Sequence, residues 1–299
     1  MDNEIKRITG LLVIEVVNSN PNGDPDRESD PRQRPNGLGE ISPVSFKRKL
    51  RDILEDADEA SIKTICESAK ISPANFPLDE LRILEARGRD RGVIQKEMGK
   101  DLSKFDQTDF LKSEFVKKYW DARVFGNTFL EKEAAKGYIK TGAVQFGVGL
   151  SISPVSIVRW TNTNKSGVQE GKNQGMAPLA FRIVEHGVYV MPFFVNPNLA
   201  AKTGCAQRDI DLLKALIPHA YVLNPSTIRT QVYLRHAWWI EHKSILGSCQ
   251  DYLLFEALTP KRIGNAQEPS TSWKDYEDVA GLSPNLKEKI ADCQDLMAQ

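Results

Sequence analysis

The run Leu11-Leu-Val-Ile-Glu-Val-Val17 constrains the fold more than any other stretch of the chain. It is apolar and β-branched with a single charge at Glu15, the composition of a buried strand. Asn18 to Asp30 follows at once, dense in Asn, Gly, Pro and Asp, and reads as a turn-forming loop. Gly23 is free to take positive φ, while Pro21 and Pro25 fix theirs, so the loop can hold one shape without a core of its own. A polar loop released at the end of a rigid strand is a common foundation for a site.

The loop's chemistry narrows quickly. Asn20, Asn22, Asp24 and Asp26 alternate as calcium ligands do in an EF-hand, but that motif needs Gly at its sixth position and Glu at its twelfth, where Pro25 and Pro31 stand. No glycine motif that cradles phosphate is present. Three readings stay open: an ordered turn whose side chains bond their own backbone, a binding loop, and a metal-dependent nuclease using Asp24, Asp26 and Asp30. The last is the weakest, because Pro25 separates the first two carboxylates and frees them from facing one ion.

Basic and acidic residues balance at 40 each, so net charge announces no polyanionic partner; distribution is more telling. Ile41 to Arg51 carries Lys47, Arg48, Lys49 and Arg51 with no acid, and Arg123 to Arg182 also has a basic surplus. Pro43 precedes a predicted helix from Val44 to about Ala57, with Phe46, Leu50, Ile53, Leu54 and Ala57 on one face. Lys47 and Arg51 flank that stripe, where their stems pack and their charges reach outward. Cys66, Cys205, Cys249 and Cys293 lack the paired spacing of a zinc or redox site and read as reduced thiols. No metal site or cofactor is expected. With no signal-like N-terminus and no apolar run of bilayer length, the reading is a soluble cytoplasmic chain.

In chain order the periodicities predict strand, helix, strand, strand, helix, strand. The later elements are Gly142 to Pro154, Phe181 to Val195, a helix from Asp209 to Tyr221, and Thr230 to Trp239. Tyr252 to Leu258 reads as a further strand, and a C-terminal helix spans about 284–298. That order is the ferredoxin-like βαββαβ plan, also used by RNA-recognition domains: an α+β, RRM-like fold. Two insertions interrupt it, a helical one at about 59–125 and a Gly/Asn-rich hairpin at about 158–182. The core then falls at about 9–58, 138–157 and 181–262 of a single domain.

Asn20-Pro-Asn-Gly-Asp-Pro-Asp26 before Ser45-Phe-Lys-Arg-Lys-Leu-Arg51, then Asp121-Ala-Arg-Val-Phe-Gly126 and Thr141-Gly-Ala-Val-Gln-Phe-Gly147, resembles the backbone subunit family of type I-C and I-B CRISPR Cascade complexes. The resemblance implies a hand-like fold of palm, helical fingers and β-hairpin thumb. It also implies a non-enzymatic role: copies polymerise head to tail along one guide RNA (crRNA) and present its bases to target DNA. The other partners implied are a crRNA-processing, 5′-end-capping subunit and a large subunit. Related type III backbone subunits cut RNA with a thumb-associated Asp, and Thr161 to Met176 has none.

On this reading Asn20 and Asn22 hydrogen-bond the RNA backbone or its 2′-hydroxyls, and Lys47, Arg48 and Arg51 neutralise phosphate. Arg32, Arg34, Arg123, Arg159, Lys165 and Lys172 are further candidate cations. Phe125 is a candidate aromatic contact that also suits the core, and Met176 an apolar tip able to wedge against a base.

Overall fold

The computed structural model describes residues 5–88, 111–127, 140–165 and 176–298. Its first half contains β1 (Ile8–Ser19), β2 (Leu38–Ile41), α1 (Pro43–Glu55), α2 (Glu59–Ser68), α3 (Glu114–Lys118) and α4 (Trp120–Phe125). There follow β3 (Val144–Phe146), β4 (Gly149–Pro154), β5 (Ile157–Lys165) and β6 (Met176–Val195). The chain then forms α5 (Pro197–Thr203), α6 (Gln207–Leu216), β7 (Val232–Glu241), α7 (Asp251–Leu258), α8 (Pro284–Lys289) and β8 (Asp292–Asp295).

These elements make a mixed α/β fold around one antiparallel sheet, ordered β8-β7-β1-β6-β4-β2, with β3 and β5 also paired to β6. Strand β1 sits at the centre because both its faces are apolar. Leu12, Ile14 and Val16 enter the main core with Phe46, Leu50 and Ile53 of α1 and Ile210, Leu213 and Leu216 of α6. Leu11 turns to the opposite face, against Leu254 and Leu258 of α7, and Val13 packs there beside Tyr276. Each such side chain contributes about 1.5–3 kcal/mol on burial, so a strand apolar on both faces is fixed in the middle of the sheet.

Two C-terminal expectations exchange places. Tyr252 to Leu258 is helix α7 rather than a strand, because Leu254 and Leu258, four apart, both bury on the sheet's second face. The helix expected to run to about 298 stops at Lys289, and Asp292–Asp295 instead pairs with Trp238–Glu241 as β8. Backbone pairing that covers the exposed edge of β7 prevails over helical spacing there. The predicted strand Gly142 to Pro154 is broken into β3 and β4, and β2 was not foreseen. Of the described residues, no helix is long and apolar enough to cross a membrane.

The two later sequence landmarks meet in space. Gly126, at φ 85°, pairs with Thr141, and a Cβ on Gly142 would lie 2.1 Å from the Phe125 carbonyl carbon. A glycine at 142 is therefore required by close backbone approach.

Candidate nucleic-acid interface

The loop after β1 is a folded turn that spends its polar groups largely on itself. Gly23–Asp24 pairs with Asp30–Pro31, and Glu28 and Ser29 take left-handed φ to close the turn. Asn20 is 1% exposed; its Nδ2 donates to the Ser29 carbonyl at 2.8 Å, while its Oδ1 is enclosed without a donor. Asn22 Oδ1 accepts the backbone N–H of Ser42 at 2.7 Å, and Ser42 in turn caps α1 through Ser45. The loop thus sets the start of the basic helix. Asp24 faces Arg32 at 3.8 Å and Asp30 faces Arg182 at 3.1 Å. Arg32 and Arg34 both turn back to Glu40, at 3.8 and 3.0 Å. Among the described residues no group of three acidic, His or Cys side chains is placed to hold a metal ion.

Helix α1 divides the basic cluster. Arg48, expected from sequence to neutralise phosphate, pairs with Asp52 at 2.8 Å and Glu55 at 2.9 Å, and Arg51, expected to do the same, with Asp121 at 2.8 Å. Lys47 differs. It is half-buried, has no carboxylate partner among the described residues, and rests its Nζ 5.5 Å from the centre of the Phe125 ring. Burial, then the neighbouring Arg51 charge, lowers its pKa to about 8. Lys49 is 5% exposed, rests its Nζ 5.2 Å from the centre of the Tyr221 ring, and has no carboxylate partner among the described residues.

The Asp121–Gly126 landmark is structural. Asp121 also accepts the backbone N–H of Leu84 at 2.6 Å. Arg123, 3% exposed, pairs with Asp209 at 2.8 Å and donates to the carbonyls of Val116, Lys117 and Glu80. Its donors are engaged inside the protein. Phe125 is 7% exposed and packs on Trp120 and Phe146; it belongs to the core and lends its face to Lys47 and Arg51.

Strands β5 and β6 pair from Ile157 with Val184 out to Lys165 with Met176. Arg159 is exposed, opposite Arg182 in register. Trp160, 37% exposed, packs its ring, tilted by 32°, with its centroid 5.9 Å from that of Phe181, its direct cross-strand partner. Sequence reading passed over this aromatic pair; the alternation on either side of the polar segment was the available signal. Lys172 lies outside the described residues, as do the side chains of Lys165 and Met176.

A second constellation bears on catalysis. His186 Nδ1 is 2.7 Å from Ser270 Oγ, and its Nε2 is 3.2 Å from Glu15 Oε1, the residue types of a nucleophilic triad. All three are at most 3% exposed, and Tyr276 also bonds Ser270. Burial pushes the Glu15 carboxyl up, but the His186 and Arg235 hydrogen bonds prevail and hold it below the usual range. The group reads as a buried clamp fastening the C-terminal segment to the sheet.

A family model for CRISPR-associated protein Cas7 matches residues 6–280. The chain belongs to the Cas7 family. A Cas7 relative from Haloferax volcanii is 26% identical over 245 residues, covering 74% of this chain and 66% of its own length, so this chain spans just under two thirds of that relative. Two solved chains share 14% identity and cover 78% of this chain. One is from a CRISPR RNA-guided surveillance complex described as pre-nicking (TM-score 0.46, 77% of that chain), the other from a CRISPR RNA-guided surveillance complex (TM-score 0.43, 68% of that chain).

Proposed function

We propose that this Cas7-family chain is the crRNA-binding backbone subunit of a type I Cascade surveillance complex, of the I-C or a related subtype. The match to the family model over residues 6–280 carries the reading. Copies line one guide head to tail in the cytoplasm, between a 5′-end-capping subunit and a large subunit, and leave guide bases free to pair with target DNA. The chain's part is to bind, not to cut.

The order β7-β1-β6-β4, with α1 and α6 on one face, supports reading the core as an RRM-like palm. The β5–β6 hairpin is then the thumb and the region around α2 to α4 the fingers. In the palm, Lys47 is the cation best placed for phosphate, since it alone of Lys47, Arg48 and Arg51 lacks an acidic partner among the described residues. Asn22 positions that helix, and Arg159 on the hairpin is a further, exposed cation. Electron micrographs of the chain purified with its guide test the assembly: arcs or filaments are expected, and isolated globules with RNA still bound would refute it.

A further inference from the structure

Asp30, in the loop after β1, and Arg182, on β6 at the base of the β5–β6 hairpin, form an ion pair at 3.1 Å. Among the described residues no other ion pair joins this loop to the hairpin. Asp24 is matched within the loop by Arg32, whereas Asp30, held by its backbone pairing with Asp24, directs its charge outward. Arg182 stands directly opposite Arg159 in the register of β5 and β6. Their side chains therefore leave the same face of the hairpin, from Cβ atoms about 5 Å apart. Like charges so placed repel, and Asp30 is the one carboxylate among the described residues within ion-pair distance of either. Two cations facing one acid leave the cluster with an excess of positive charge.

We propose that the Asp30–Arg182 pair is an autoinhibitory latch. It ties the hairpin to the loop in the free chain, and it opens when a backbone phosphate of bound RNA takes Arg182 from Asp30. This rests on the function proposed above. The exchange is feasible because the pair is exposed, at 58% of the Arg182 side chain and 25% of that of Asp30. An exposed pair contributes little to stability, whereas a phosphate between two guanidinium groups accepts charge-assisted hydrogen bonds from both. The same phosphate repels the Asp30 carboxylate, so the two anions compete for Arg182. Asp30 belongs to no metal-holding group among the described residues, and the latch gives its carboxylate a different use.

The test measures the affinity of the full chain for guide RNA at several salt concentrations, after thermal melts establish that each variant is folded. Asp30→Asn keeps the shape of the side chain and removes its charge. It should tighten RNA binding roughly two- to fivefold, the worth of one exposed ion pair. It should also steepen the salt slope by about 0.7, because no displaced carboxylate recaptures a cation. Arg182→Gln should weaken binding, and Asp30→Asn added to it should change nothing further, since the acid acts through Arg182. Asp26 is exposed in the same loop and in no ion pair among the described residues, so Asp26→Asn is the control for general repulsion. Its gain should fall short of that from Asp30→Asn. A gain that persists in the Arg182→Gln background, or that Asp26→Asn matches, is general repulsion and overturns the latch. So does unchanged or weaker binding by Asp30→Asn while the wild type binds RNA; the proposed function then stands without the latch. No RNA binding by any of these proteins refutes the proposed function, and the latch with it.

Discussion

Arg51 donates its Nε hydrogen to Asp121 Oδ2 at 2.8 Å, joining helix α1 to the Asp121–Gly126 landmark. The bond takes one cation off the basic face and leaves Lys47 beside it unpaired. Arg51→Ala should therefore act on stability, costing about 3 kcal/mol or more by stranding the Asp121 carboxylate in the core. Lys47→Ala should change stability little, yet weaken RNA retention for all guide sequences alike and lower the salt slope by about one unit. Denaturant titrations beside RNA binding at several salt concentrations check both; equal loss of salt slope in the two variants contradicts the division.

Arg123 and Asp209, each 3% exposed at the side chain, hold α4 against α6. Removing one partner, as in Arg123→Met or Asp209→Asn, should cost about 3–5 kcal/mol, and removing both less than the sum of the two. A double-mutant cycle in urea measures the coupling; additive losses would show that the pair is not one unit.

These pairs mark where sequence legibility stopped. The strand from Leu11 and the helix over Phe46 to Leu54 were readable because apolar period reports burial directly, whereas the hairpin at about 158–182 was legible from its polar, Gly/Asn-rich middle. The charges were not. Arg48 meets Asp52 one turn along its own helix, but Lys47, Arg51 and Arg123 look alike in the sequence, and what separates them is whether Asp121 or Asp209 arrives from elsewhere in the chain. The same limit hid the clamp joining Glu15, His186 and Ser270. Helix α7 and strand β8 were exchanged for a related reason: short segments take their form from the face or edge that receives them, the sheet's second face for α7 and the edge of β7 for β8.

His242 is buried behind β7. Its Nδ1 accepts the Ser248 N–H at 2.9 Å, so its Nε2 carries the proton and donates to Thr9 Oγ1 at 2.9 Å. Burial holds its pKa below the ordinary histidine value, only partly countered by Asp251. The folded state then binds fewer protons than the unfolded one. The contribution is complete above about pH 6.5 and is lost as pH falls through the folded pKa. Tm should fall between about pH 7 and 5, and His242→Gln, which can keep one donor and one acceptor, should flatten that decline. An unchanged pH profile in the variant would place the titration elsewhere.

The most direct test of the central claim is the nucleic acid that the chain carries. Purified at low salt from cells expressing a guide, it should show a high ratio of absorbance at 260 to 280 nm and yield RNA on extraction. That RNA should be held whatever its spacer sequence, be released as salt rises, and be largely lost from Lys47→Ala. A well-folded, correctly purified chain that carries no RNA, and binds none when guide is supplied, would contradict the account.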